Sequence, residues 1–264
     1  MSDLEQRFSG IKRLYGTQGL ARLQQAHVAV VGIGGVGSWA VEALARTAIG
    51  ELTLIDLDEV CVSNVNRQLH ALDGEVGNAK VDAMARRVHA INPEAKVHII
   101  QEFFTNANAD ELLAPRFDFV LDAIDNVPNK CLLIAKCREL GIPVVTTGGA
   151  GGRRDATQIQ VADLALTTHD ALLQSVRKKL RDEFGFPKEP KKLFGVDCVF
   201  STEPQVYPHS DGTVCAQREA GSDLRLNCDS GYGTATYLTG TFGFIAAQRG
   251  VEKLAATAQV QTNA

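Results

Sequence analysis

Val28-Ala29-Val30-Val31-Gly32-Ile33-Gly34-Gly35-Val36-Gly37-Ser38-Trp39 is the stretch on which the fold turns. Its first four residues are apolar and three are β-branched, the composition of a strand buried in a parallel sheet. Glycines follow, and Trp39 to Arg46 then reads as a helix. Strand, glycine turn and helix in that order build a phosphate site from backbone N–H groups at a helix N-terminus. Gly32, Gly34, Gly35 and Gly37 allow close approach because a Cβ would stand where the phosphate must sit. Alone, the pattern fits a nicotinamide, a flavin or ATP equally well.

Working outward, Glu51 to Asp56 is an apolar strand ending in a carboxylate. Asp56 lies 24 residues after Gly32, about the distance expected of the acidic residue that takes ribose hydroxyls. Beyond Asp58, residues Asn64, Arg67 and Gln68 fall in a turn of roughly helical spacing and can face one pocket. Gly77-Asn78-Ala79-Lys80 opens an amphipathic helix through Val81, Met84, Val88 and Ile91, ended by Asn92-Pro93. An arginine and a lysine here suit a polyphosphate, whose charge one glycine turn cannot neutralise. A nicotinamide enzyme needs little in this segment beyond the ribose carboxylate.

Further strands are expected at Lys96–Ile100, Phe117–Asn126 and Ile142–Thr147, with helices at 106–113 and 128–140. Asp122 and Asp125 sit at the C-terminal end of the second of these strands, where open α/β sheets bind ligands. Either suits Mg²⁺, which needs one or two carboxylates plus phosphates. A second glycine turn, Gly148–Gly152, precedes Arg153, Arg154 and a polar strand at 157–161. After Asp163 the βα rhythm stops. A helix at 169–184, a Pro/Lys-rich connection at 186–192 and a strand at 196–202 follow. A turn-rich crossover at 203–230 leads to a last helix from Tyr232 to Leu254, with a frayed tail beyond Thr257. Residues 1–25 read as helical and polar. The expected fold is therefore α/β and Rossmann-like. A mostly parallel sheet is flanked by helices, and a C-terminal extension adds strands, the long crossover and the terminal helix. Residues 1–165 form the nucleotide-binding domain and 166–264 the extension.

At 264 residues with 45% hydrophobic and 22% charged content, the composition is ordinary for a soluble globular protein. The N-terminus is polar, which argues against a signal peptide. Tyr232 to Ala247 is rich in Gly and Thr and falls short of the roughly 20 apolar residues of a membrane span. Six cysteines without a secretory context point to free thiols in a reducing cytoplasm. A net charge of −4 rules out a general polyanion binder. Seven cations nevertheless fall between Arg177 and Lys192, among them Lys178, Lys179 and Arg181, against three acids. That excess is either a nucleic-acid footprint or a solvated helix face.

Five motifs in order carry a resemblance. They are Gly32-x-Gly34-Gly35-x-Gly37, Asp56-x-Asp58, Asn64-x-x-Arg67-Gln68, Gly77-x-x-Lys80 and Leu121-Asp122-x-x-Asp125-Asn126. Together they resemble the ubiquitin-activating-enzyme-like superfamily of adenylating enzymes. Asn66–Leu72, Thr147–Gly152 and Gly195–Glu203 extend the likeness, over nearly the whole chain, to its tRNA-modifying branch. The resemblance implies a cytoplasmic homodimer binding ATP and Mg²⁺. Gly35 would touch the phosphates and Asp56 the ribose; Asn64, Arg67 and Lys80 would bind the triphosphate, and Asp125 would hold Mg²⁺. An arginine from the partner's N-terminus, Arg7 or Arg13, would reach into the site. The implied reaction is ATP-dependent dehydration of N6-threonylcarbamoyladenosine in tRNA through an acyl-adenylate, with Arg67, Lys80 and Asp125 as the catalytic set. The tRNA backbone then becomes a partner for Arg153, Arg154, Arg177, Lys178, Lys179 and Arg181.

The alternative is an adenylyltransferase that activates the C-terminus of a ubiquitin-like sulfur carrier, and a nicotinamide dehydrogenase is a third reading. Some relatives carry zinc on paired Cys-x-x-Cys motifs; no such pair occurs here, so no zinc is expected. A thiol could receive the activated acyl group, or sulfur from a cysteine desulfurase. Cys215 and Cys228 in the crossover are the candidates, while Cys198 reads as core. His70 and His209 read as structural.

Overall fold

Runs of β-branched residues alternate with amphipathic stretches, and the computed structural model resolves them into one layered α/β unit. It describes residues 3–219 and 232–256. In chain order the elements are α1 (Asp3–Arg7), α2 (Ser9–Gln25), β1 (His27–Val31), α3 (Gly37–Arg46), β2 (Glu51–Ile55), α4 (Lys80–Ile91) and β3 (Lys96–Ile100). Then come α5 (Ala109–Leu113), β4 (Phe119–Asp122), α6 (Val127–Leu140), β5 (Val144–Thr147), β6 (Ile159–Asp163) and α7 (Ala171–Glu183). The chain continues through β7 (Asp197–Ser201), β8 (Tyr207–Pro208), β9 (Val214–Cys215) and α8 (Thr236–Ala256).

Seven strands form one sheet in the order β3-β2-β1-β4-β5-β7-β6, parallel except for β6 against β7. The order reverses between β1 and β4. That switch point opens a crevice at the C-terminal ends of the strands. Side chains alternate between two faces. Val28 and Val30 point into a core shared with α2, α3, α4 and α8, and Ala29 and Val31 into one shared with α5, α6 and α7. The terminal helix is thus part of the first core, through Phe242, Ala246 and Val251.

Element boundaries move where a side chain ends a strand or caps a helix. The fourth strand ends at Asp122 rather than running to 126, because the Asp122 carboxylate accepts the Ile124 N–H at 3.0 Å and turns the chain. Asn126 then caps α6 through the Asn129 N–H at 3.1 Å. Asp170 caps α7, accepting from Leu173 N at 2.9 Å, so that helix starts at 171 rather than 169. Asp155 holds a short 3₁₀ turn at Ala156–Gln158, which delays the polar strand to Ile159. The crossover holds the small β8–β9 hairpin. Cys228 and the tail beyond Thr257 lie outside the described residues. Among the described residues no helix is long and apolar enough to cross a membrane.

Candidate active site

A cavity of about 1100 Å³ occupies the switch point, lined by both glycine turns and by Asp56, Asp58, Asn64, Arg67, Gln68, Lys80 and Asp125. Gly32, at φ 90°, donates its N–H to Ile55 O at 2.9 Å. A Cβ there would lie 2.8 Å from Ala123 O, and one on Gly37 only 1.8 Å from Gly32 O. Both glycines are therefore required by the close approach of the protein's own backbone; for Gly37, which is not among the residues lining the cavity, this replaces the expectation that it makes room for phosphate. Gly32, Gly34 and Gly35 line the cavity.

Asp56 is buried at the end of β2. Its carboxylate accepts the Ile33 N–H at 2.6 Å and the Asp58 N–H at 2.9 Å, which locks the glycine turn to β2. Burial raises its pKa against the pull of the Lys80 cation. Lys80 opens α4 and is itself buried, with Nζ 2.7 Å from the half-exposed Asp58 carboxylate. Asp58 thus anchors the lysine. A buried ammonium without such a partner would be costly.

Asn64 ends a short 3₁₀ turn and accepts the Cys61 N–H at 3.1 Å. Arg67 donates to Ser63 O at 2.8 Å and Asn66 Oδ1 at 3.1 Å, which parks its guanidinium at the cavity wall. Its carbonyl accepts from Trp39 Nε1 at 3.0 Å and Thr239 Oγ1 at 3.1 Å. Thr236 Oγ1 donates to Asn66 O at 2.6 Å, and Asn66 Nδ2 donates to Thr234 O at 2.9 Å. The last helix and the segment before it therefore hold the Arg67 turn, a role that sequence reasoning missed. The only signal was the run of threonines at 234, 236 and 239 facing a lone tryptophan.

Gln68 is buried on the cavity wall, and its Oε1 has no partner among the described residues. His70 is buried behind it, where neither ring nitrogen makes a hydrogen bond of ordinary geometry to any described residue, although the Ile33 backbone lies beside the ring. Burial, aided by the Lys80 charge, pushes its pKa down to about 4. The imidazole is neutral at physiological pH.

The two aspartates at the end of β4 separate cleanly. Asp122 is fully buried, 3.0 Å from the equally buried Lys130 Nζ, and accepts from Thr146 Oγ1 at 2.6 Å. It is spent on the core and drops out as a metal neighbour. Asp125 is exposed on the cavity wall.

The basic residues also separate. Arg153 is buried, donating to Gly149 O at 3.0 Å, Ser201 O at 2.7 Å, Glu203 O at 2.6 Å and His169 O at 2.8 Å. It clamps the second glycine turn and cannot face RNA, which corrects the expectation of a tRNA contact. Arg177 is half-buried on Thr167 Oγ1, and burial lowers its pKa. Arg181 donates to Pro187 O at 3.1 Å and stacks on Phe194. Lys179 pairs with Glu183 at 2.6 Å, while Arg154 and Lys178 are exposed. Of the thiols, Cys198 is fully buried, and burial holds its pKa well above the ordinary value; Cys131 and Cys137 are pushed up to about 12. Cys215 is half-buried on β9. Cys61, which sequence reasoning passed over, lies exposed on the cavity wall.

The profile of the ThiF family matches residues 9–263. The tRNA threonylcarbamoyladenosine dehydratase of Escherichia coli is 53% identical over 257 residues, covering 97% of this chain and 96% of that protein. The dehydratase of the same name from Haemophilus influenzae is 50% identical over 255 residues, covering 96% and 95%. Among solved structures, the E. coli tRNA N6-threonylcarbamoyladenosine dehydratase in complex with ATP is similar at a TM-score of 0.88 and 49% identity, with 99% of each chain covered.

Proposed function

The chain belongs to the ThiF family, and from that premise we propose that it is an enzyme that uses ATP to dehydrate N6-threonylcarbamoyladenosine in tRNA to its cyclic form. One observation carries the reading: a switch-point cavity brings a ribose-type carboxylate, Asp56, together with two cations, Arg67 and Lys80. A nicotinamide needs the first and not the others. Whole-length similarity to two tRNA threonylcarbamoyladenosine dehydratases supports the nucleoside substrate, and similarity to an ATP-bound relative supports the nucleotide.

The residues act by positioning and by neutralising charge. Asp56 takes the ribose hydroxyls with lone pairs that Ile33 and Asp58 leave free, and the backbone at Gly34 and Gly35 receives the phosphates. Arg67 exchanges Ser63 O for phosphate oxygen, and Lys80 reaches the same anion from its anchor on Asp58. Asn64 and Gln68 complete the wall. A carboxylate oxygen of the substrate attacks the α-phosphorus, the bond from that phosphorus to the bridging oxygen breaks, and pyrophosphate leaves with its charge held by Arg67 and Lys80. The neighbouring carbamoyl group then attacks the activated carbonyl; the carbonyl–phosphate C–O bond breaks, AMP leaves and a proton is released. The nucleoside has lost one water. No protein nucleophile is needed. An exposed carboxylate beside the phosphate pocket fits a hard dication, so Asp125 is the residue that would hold Mg²⁺, whose chemistry is to neutralise phosphate charge.

Arg154, Lys178 and Lys179 are the cations we assign to the tRNA backbone. We assign a homodimer as well, with Arg13 as the arginine offered across it, since Arg7 is tied to Asp3 at 2.8 Å and to Ile91 O at 3.3 Å. The enzyme acts where tRNA is, in the cytoplasm. A cysteine desulfurase would find Cys215, the half-buried thiol of the hairpin, as its acceptor. The deciding experiment incubates the protein with ATP and tRNA bearing the modified nucleoside, followed by nucleoside mass spectrometry. Loss of one water, abolished in Arg67→Ala and Lys80→Met, is expected. Unchanged nucleoside, with adenylate instead formed on a ubiquitin-like carrier, would replace this reading with the alternative.

A further inference from the structure

At the N-terminal edge of the sheet, remote from the cavity, stand three ligand-type side chains that the reaction does not use. His27 begins β1, Glu51 begins β2 and His98 sits within β3. The parallel register sets His27 beside Glu51 and Thr53 beside His98. With the two-residue alternation of strands, all four side chains share one face. The donor atoms of His27, Glu51 and His98 lie within 4.8 Å of one another. Glu51 Oε1 is 3.7 Å from His27 Nδ1 and 2.7 Å from His98 Nε2.

We propose that His27, Glu51 and His98 form a binding site for a divalent transition metal of the zinc type, with water completing the coordination. Two donors on a tetrahedral zinc ion, each about 2.0–2.1 Å from the metal, are roughly 3.3 Å apart. The two distances at Glu51 bracket that value. The imidazole donors lie within 4.8 Å of each other, and His98, whose side chain is half-exposed, can rotate to adjust that separation. His27 is already oriented: its Nε2 lies 2.8 Å from Thr53 Oγ1, which leaves Nδ1 toward Glu51, and the edge of Phe117 packs on the ring at 4.7 Å. Such an outer partner fixes which nitrogen faces a metal. Lys96, 3.9 Å from Glu51 Oε2 and largely exposed, swings clear. The absence of Cys-x-x-Cys pairs speaks only to thiolate sites. Two imidazoles and a carboxylate are a different and sufficient donor set.

Occupancy would tie the starts of three adjacent strands together and stabilise the fold by mass action. The test uses the full-length protein stripped with chelator, then titrated with Zn²⁺ by calorimetry and with Co²⁺ by absorption. His98→Ala and Glu51→Gln are compared with wild type, and circular dichroism verifies folding. The wild type is expected to bind one ion more per chain than either variant, or the same ion at least about tenfold more tightly. Its Co²⁺ spectrum should carry no thiolate charge-transfer band, and Zn²⁺ should raise its melting temperature but not that of the variants. Thr53→Val, nearly isosteric, should weaken binding about tenfold. Equal stoichiometry and affinity in wild type, His98→Ala and Glu51→Gln, or a purely thiolate Co²⁺ spectrum, overturns the proposal.

Discussion

Arg153→Ala tests the reassignment of a basic residue from RNA contact to internal clamp. The side chain is fully buried, and its donors reach four carbonyls, on Gly149, Ser201, Glu203 and His169, with the Asp170 carboxylate at 3.5 Å. Truncation strands those acceptors together. Asp170 keeps the Gly149 and Leu173 N–H groups, at 2.8 and 2.9 Å, but loses the one cation in contact with it among the described residues. Removing one partner of a buried charged pair costs about 3–5 kcal/mol, and in a domain of this size each kcal/mol moves Tm by about 2–4 °C. The expected fall in Tm is therefore about 10 °C, with a matching drop in the urea midpoint. Arg153→Lys should recover less than half of the loss, since an ammonium cannot fork to four carbonyls. Binding to tRNA should keep its salt slope at a temperature where the variant is folded. A variant with the wild-type midpoint, weaker tRNA binding and a salt slope smaller by about one would refute the clamp and restore the phosphate contact.

Four further outcomes follow from the same geometry. Lys80→Met should lower pyrophosphate release by about 10²–10³-fold, the usual cost of losing one charge-stabilising group, and near-normal turnover would remove Lys80 from the site. Asp125→Asn should shift the Mg²⁺ dependence of activity to higher concentration while leaving stability unchanged; an unshifted Mg²⁺ titration removes it as the metal carboxylate. Lys178→Glu should weaken tRNA binding and flatten its dependence on log salt, and an unaltered slope would return that helix to a plain solvated face. His70 is neutral when folded, with a pKa near 4 against 6.5 when unfolded, so its contribution is complete above pH 6.5 and is lost as pH falls toward 4. Between pH 7 and 5 the wild type should lose about 2 kcal/mol more than His70→Gln in denaturant titrations; parallel pH profiles would show that the ring is not held neutral.

Features that rest on neighbours in sequence were legible. The β-branched run before Gly32, the carboxylate ending β2 and the lysine opening α4 are local patterns, and each stands where its pattern put it. Features that rest on distant partners were not. Asp122 and Asp125 are the same residue type, three apart, on one strand end. What divides them is Lys130, in the first turn of the next helix, and Thr146 on the neighbouring strand. Arg153 and Arg154 read as one basic pair. One is claimed by carbonyls up to 50 residues away and the other is left in solvent. Gly32 and Gly37 looked like phosphate glycines, but the atoms that exclude a Cβ there belong to Ala123 and to Gly32 itself. Residue type predicts chemistry; burial, decided by the rest of the fold, determines whether that chemistry is spent internally or offered to a ligand.

The terminal helix shows the same principle acting on the proposed site. Arg67 can serve a phosphate only if its backbone stays fixed while the guanidinium moves, because a side chain that must both bind and reorganise its own loop gives up binding energy to ordering. Its carbonyl is held from two sides, by Trp39 on α3 and by Thr239 on α8, and the preceding Asn66 is stitched to Thr234 and Thr236. Among the described residues the guanidinium itself has only Ser63 O and Asn66 Oδ1, weak partners beside a triphosphate. The design is thus a rigid backbone carrying a releasable cation. It also makes the C-terminal extension inseparable from the nucleotide site: α8 buries Phe242, Ala246 and Val251 in the core of the strand that carries the glycine turn, so the element that completes the fold is the element that aims Arg67.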